Sequence, residues 1–151
     1  MFKALKALLA EAETPARAVT GQERHHLCVA VASLLHEATR VDLSEHVEER
    51  AVAESGLVDL FGLSGEDCAA VFEEGREKAQ HLTSYFGPVA VIKRDMAPPE
   101  RVRLIEHLWK VAYADGGLDP YEDHYVRKIG HLLYVSNTDI MLARNRVRAR
   151  E

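Results

Sequence analysis

Three carboxylates lie close together in the segment YADGGLDPYE, which covers residues 113–122. Asp115, Asp119 and Glu122 share this segment with a Gly-Gly pair and a proline. Carboxylate oxygens, completed by carbonyl groups or water, are the ligands that hard cations such as Ca²⁺ and Mg²⁺ prefer. The segment therefore predicts a divalent-cation loop with these three carboxylates as ligands.

The same residues are also typical of a joint between two helices. Asp119 is a good N-cap, Pro120 fits the first helical position, and Glu122 falls where a capping box needs an acidic side chain. Asp115 with the following glycines favours a turn. The segment is not an EF-hand, because a loop counted from Asp115 has Pro120 at position 6 and Val126 at position 12. The cation and capping interpretations both remain open from local chemistry.

Catalytic motifs do not accompany the carboxylates. The segment LLHEATR has Arg40 where a zinc-protease helix needs its second histidine. GLSGED lacks the lysine of a phosphate-binding loop, and the serines have no nucleophile-elbow motif around them. We therefore expect a protein that is not an enzyme.

Composition places the chain among globular proteins. It has 151 residues, 47% hydrophobic and 28% charged, with a net charge of −5, which disfavours binding to nucleic acid. The arginine-rich end, ARNRVRARE, is interpreted as a solvated last helical turn. We expect no signal peptide, because the uncharged run Ala7 to Ala10 is too short, and no stretch approaches the length of a membrane span. Cys28 and Cys68 fall in apolar patterns, which favours buried free thiols and a cytoplasmic location.

Apolar residues recur at helical spacing along the whole chain. We predict an all-α fold, a single bundle of seven to eight helices, with residues 1–20 as an N-terminal helix and linker and residues 21–151 as the helical domain. The expected helices cover residues 2–13, 21–39, Ser44 to Gly62, 65–80, a short helix from Pro88, one from the PPE at 98–100, one from DPYE, and 137–149. RDMAPPER, residues 94–101, is interpreted as a mid-chain linker.

An internal pseudo-repeat runs through this order. Asp42 and Glu49 each lie 73 residues before Asp115 and Glu122. A second set of matches follows at a spacing of 72 residues: Leu60, Leu63, Ser64 and Asp67 with Leu132, Val135, Ser136 and Asp139. Each half is thus predicted to contain a helix, an acidic loop, a helix, a short turn and the start of a further helix.

The second acidic loop resembles the tellurite-resistance protein B (TerB) family. The family pattern A-x-A-D-G-x-L/I-D-x-x-E falls on Ala112, Ala114, Asp115, Gly116, Leu118, Asp119 and Glu122. The resemblance extends more weakly over about residues 25–148. It is closer to a bacterial TerB-like branch than to the plasmid-borne tellurite-resistance protein itself.

The resemblance implies a helical fold with a pseudo-repeat and an acidic cluster for divalent cations. It also implies a role in metal, tellurite or stress responses, with protein partners that include membrane-associated ones. The first loop departs from the pattern, since Leu43 replaces the glycine and His46 the second aspartate. If the two loops meet, the ligands of one shared site for Ca²⁺, Mg²⁺ or Zn²⁺ would be Asp42, His46, Glu49, Asp115, Asp119 and Glu122. The alternative is a protein–protein interaction module whose acidic loops act only as helix caps.

Overall fold

The structure is a computed structural model, and it describes residues 21–40, 47–114 and 118–150. Nearly all of these residues are helical. The helices of this part are α1 (Gly21–Arg40), α2 (Val47–Phe61), α3 (Gly65–Gln80), α4 (Phe86–Asp95), α5 (Pro98–Tyr113), α6 (Pro120–Leu132) and α7 (Asn137–Ala149). No β-strand occurs in these ranges. The predicted all-α fold is confirmed.

The predicted helix limits agree closely with the observed ones for α1, α3 and α7. Helix α4 begins at Phe86, two residues before the expected start at Pro88. A proline is tolerated in the first turn of a helix, because the N–H groups of that turn have no partner within the helix. The interpretation of residues 94–101 as a linker was wrong, because only Met96 and Ala97 lie between α4 and α5, and both are buried. The predicted helix at 2–13 and the start of α2 near Ser44 lie outside the described residues.

Helix α1 packs against α2, α3, α4 and α5. Its predicted apolar face is buried in full: Leu27, Val31, Leu34, Leu35 and Ala38. It approaches α3 closely, since a Cβ added to Gly75 would lie 2.6 Å from the Cβ of Ala32. Glycine at position 75 therefore sets how near these two helices come.

Helix α5 contacts both α1 and α7, and so joins the C-terminal helices to the core around α1. Trp109 is fully buried, and its Nε1 donates a hydrogen bond to the carbonyl of Ile140 in α7 at 3.0 Å. Glu106 of α5 accepts from Arg146 at 3.0 Å and from Arg150 at 3.1 Å. Both arginine side chains remain partly exposed, as expected for a solvated last helical turn, and they also pair with α5.

The pseudo-repeat is visible in the turns that follow α2 and α6. Ser64 and Ser136 cap the next helices, accepting from the backbone N–H of Asp67 at 3.2 Å and of Asp139 at 3.1 Å. The turns themselves have backbone in the left-handed region, at Gly62 with φ 66° and at Tyr134 with φ 58°. These two residues occupy matching positions, 72 residues apart.

Cys28 and Cys68 are buried free thiols, as the sequence predicted. Burial raises the pKa of both thiols. Within the described ranges, no helix combines the length and the apolar character that a membrane crossing needs.

Candidate metal centre

Two glutamates from the predicted acidic loops are buried at matching places in the two halves. Glu49 is the third residue of α2 and Glu122 the third residue of α6. Their side chains are 0% and 2% exposed, whereas the neighbouring Glu48 is exposed. The pseudo-repeat therefore places an inward-pointing carboxylate at the start of each helix.

Burial of an ionised carboxylate costs several kcal/mol unless charge or hydrogen bonds compensate for the lost water. The positive end of the helix dipole supplies part of this compensation at a first helical turn. Glu49 and Glu122 also interact with other groups of the chain. Each carboxylate is thus buried in the first turn of its helix, with partners within the chain.

Asp119 has the capping role that its local sequence predicted. Its backbone is extended, with φ −78° and ψ 140°, and its Oδ1 accepts a hydrogen bond from the N–H of Tyr121 at 2.7 Å. Pro120 takes the first position of α6. The cap occupies Oδ1, so Asp119 has a second carboxylate oxygen, Oδ2, that the cap does not use.

Asp42, His46 and Asp115 lie outside the described residues. Asp42 and His46 belong to the interval 41–46 that precedes Glu49, and Asp115 to the interval 115–117 that precedes Asp119 and Glu122. Within the described part of the chain, no three His, Cys, Asp or Glu side chains gather as they would around a metal ion. Glu49, Asp119 and Glu122 thus do not form such a group by themselves.

The family of the chain follows from a comparison with family models. The model described as tellurite resistance protein TerB matches residues 28–145 of the 151. The chain belongs to the TerB family. No curated protein and no solved structure gives a match.

The match to TerB begins in α1 and ends in α7, so it includes both halves of the pseudo-repeat and both acidic loops. Sequence reasoning placed Glu49 and Glu122 in the acidic loops of this TerB domain but did not predict their burial. The signal was present, since Glu49 lies four residues before the buried Ala53 and Glu122 four before the buried Val126. Residues four apart share one face of a helix, so both glutamates continue the buried face.

A second polar cluster lies between α2 and α5 and contains none of the predicted metal ligands that the structure describes. His107 is 5% exposed, and its Nε2 is 2.7 Å from Oδ2 of Asp59, which also accepts from Arg103 at 2.9 Å. Burial lowers the pKa of His107, although the bond to Asp59 opposes this. The same bond, with help from Arg103, lowers the pKa of Asp59. The lowered pKa of His107 and the lowered pKa of Asp59 both agree with a neutral imidazole that donates from Nε2 to an ionised Asp59.

Proposed function

We propose that this TerB-family protein binds a divalent cation through its acidic loops and is not an enzyme. The expected ligands are Asp115, Asp119 and Glu122 of the second loop, joined by Asp42, His46 and Glu49 if the first loop shares the site. The observation that carries the proposal is the burial of Glu49 and Glu122 at matching positions beside the two loops. A cation would add to the compensation that the helix dipole and the other partners of these carboxylates supply.

The donor types favour Ca²⁺ or Mg²⁺ in the second loop, since its three side chains offer only oxygen. A shared site that includes His46 would also suit Zn²⁺, which accepts imidazole nitrogen. Asp115 follows the C-terminal end of α5, where the helix dipole favours a cation. Asp119 fits a double role, since its cap uses Oδ1 and a cation would use Oδ2.

Membership of the TerB family supports a link to tellurite, metal or stress responses. In such a role the cation would order the loops at the starts of α2 and α6, and a protein partner, membrane-associated or not, would recognise the ordered state. A cytoplasmic location agrees with the buried free thiols Cys28 and Cys68.

Thermal melting and titration calorimetry with Ca²⁺, Mg²⁺, Mn²⁺ and Zn²⁺ test the proposal. A cation at 100 times its dissociation constant stabilises the folded state by about 2.7 kcal/mol. We expect such a shift at micromolar cation in the wild type and its loss in Glu122→Gln and Asp115→Asn. Glu48→Gln is the matched control, because Glu48 adjoins Glu49 but points into solvent.

A different result would favour the capping alternative. Loss of the Asp119 cap costs about 1 kcal/mol with or without a cation. If Asp119→Ala has only this effect, and no cation shifts the melting temperature of the wild type, the acidic loops are helix caps and the cation proposal is wrong. A shift that persists unchanged in both Glu122→Gln and Asp115→Asn would place any cation elsewhere.

A further inference from the structure

An aromatic groove lies between the start of α4 and the end of α6. It has a volume of about 550 Å³, and we define it by six of its lining residues: Tyr85, Phe86, Lys93, Lys128, Leu132 and Tyr134. Phe86 is 79% exposed and Tyr134 78% exposed. Large apolar rings gathered around a concave surface are typical of binding sites rather than of inert protein surface.

Tyr134 occupies a backbone position that favours glycine. It follows the C-cap of α6 with φ 58°, the N–H of Val135 bonds to the carbonyl of Gly130 at 3.0 Å, and its own N–H bonds to the carbonyl of His131 at 3.1 Å. This is a Schellman turn, whose left-handed residue is usually glycine. The matching residue of the first half is Gly62, with φ 66°. The second half therefore has a strained tyrosine where the first half has glycine, and strain of this kind marks functional positions.

Two lysines give the aromatic groove its charge. The Nζ of Lys93 lies 4.3 Å from the centre of the Tyr134 ring, and the Nζ of Lys128 lies 5.3 Å from that of Tyr85. Among the described residues, neither lysine has a carboxylate within ion-pair distance. Glu37 also lines the groove, so two cations face one carboxylate there, in a chain whose net charge is −5. An acidic partner repelled by the rest of the surface would be attracted at this place.

Arg101 holds the two walls of the aromatic groove in position. Its guanidinium donates to the carbonyls of Lys93 at 3.1 Å and Met96 at 3.0 Å, at the end of α4, and to the carbonyl of Leu133 at 3.2 Å, just before Tyr134. One side chain thus joins the end of α4 to the end of α6. A groove fixed in this way needs little ordering when a ligand binds, which favours affinity.

We propose that the aromatic groove binds an acidic peptide segment of a partner protein, with apolar side chains against Phe86, Leu132 and Tyr134 and carboxylates beside Lys93 and Lys128. Charge complementarity supports an acidic occupant. The concave shape favours a chain segment over a flat membrane surface. The proposal does not depend on the cation site, since none of the predicted metal ligands that the structure describes, Glu49, Asp119 and Glu122, lines the groove.

The experiment uses the full chain and peptide libraries of matched length. One library contains Asp and Glu with Leu, Phe and Trp, and a second replaces the acids by Lys and Arg. Binders selected from the first are labelled, and their affinity is measured by fluorescence anisotropy. We expect binders from the acidic library alone, with affinity that falls as salt is raised.

Variants then locate the binding site. Phe86→Ala and Tyr134→Gly should each weaken binding about tenfold, as loss of an aromatic anchor does, and Lys93→Met and Lys128→Met severalfold each. Tyr121→Ala is the aromatic control, because Tyr121 is 71% exposed and lies outside the aromatic groove, and Lys78→Met is the control for a surface charge. Both controls should leave binding unchanged.

Two results would overturn the proposal. One is the selection of no acidic peptide, or of peptides that bind the groove variants as tightly as the wild type. The other is tight binding of anionic phosphatidylserine vesicles that depends on Phe86 and Tyr134, with no acidic peptide bound, because the groove would then be a membrane-contact surface. Melting temperatures of the variants separate loss of binding from loss of folding.

Discussion

The strain at Tyr134 can be measured by exchanging residues between the two matching turns. Gly62 and Tyr134 both have left-handed backbone, with φ 66° and 58°. For a residue with a Cβ this conformation costs about 1–2 kcal/mol. Alanine recovers about 0.4–1 kcal/mol of this cost relative to glycine, because the unfolded chain has less conformational entropy with alanine than with glycine. Glycine should therefore be more stable than alanine by about 1 kcal/mol at both positions.

Comparing Gly with Ala at position 134 isolates the backbone. Both variants lose the tyrosine ring and its contact with Lys93, so only the Cβ distinguishes them. For a protein of this length, 1 kcal/mol corresponds to about 2–4 °C in melting temperature. We expect Tyr134→Gly to melt about 2–4 °C above Tyr134→Ala, and Gly62→Ala to melt below the wild type by a similar amount.

Gly65→Ala supplies the control. Gly65 begins α3 without a positive φ, and a Cβ there would have no atom within 4 Å. Alanine at this position should be neutral or slightly stabilising. Free energies of unfolding from urea titrations provide the comparison. Tyr134→Ala could prove as stable as Tyr134→Gly while Gly62→Ala is less stable than the wild type. In that case the backbone at position 134 is not strained, and strain no longer supports a functional role for Tyr134.

Two further predictions concern the core and the pH dependence of stability. Gly75→Ala should destabilise by about 1–3 kcal/mol in urea unfolding, because its Cβ would lie 2.9 Å from backbone atoms of α1, although alanine suits a helix better. Unchanged stability would mean that α1 and α3 separate easily. Burial lowers the pKa of His107, so the folded state binds fewer protons there than the unfolded state, and its contribution to stability is lost as pH falls below about 6.5. His107→Gln should therefore lose less stability than the wild type between pH 7 and pH 5, and equal slopes would refute a neutral His107.

Local signals predicted the helices well, because their limits depend on residues close in sequence. Ser64 and Ser136 each cap a helix by accepting from the backbone N–H three residues later in the sequence, at Asp67 and Asp139. Asp119 caps α6 for the same local reason. The limits of α3 and α7 followed without any tertiary information.

Features that depend on packing between distant segments were not predicted. The burial of Glu49 and Glu122 depends on which face α2 and α6 turn toward the core. The aromatic groove brings Phe86 and Lys93 of α4 beside Lys128 and Tyr134, which are distant from them in sequence. The left-handed backbone of Tyr134 could have been predicted, since the pseudo-repeat aligns it with Gly62, and glycine commonly takes this conformation just after a helix.

The two halves of the pseudo-repeat differ at opposite ends of the matching helices α2 and α6. The first half has glycine after α2, at Gly62, but its acidic loop departs from the pattern at Leu43 and His46. The second half has the full acidic pattern before α6 and Tyr134 in place of glycine after it. Helix α6 thus begins at the proposed cation site, with Glu122, and ends at the aromatic groove. Along the axis of α6, Glu122 lies about 9 Å from Lys128 and about 15 Å from Leu132, the two groove residues of this helix. Substitutions at Glu122 and at Tyr134 should therefore affect stability and binding independently. The cation proposal and the peptide proposal can thus be tested by separate measurements.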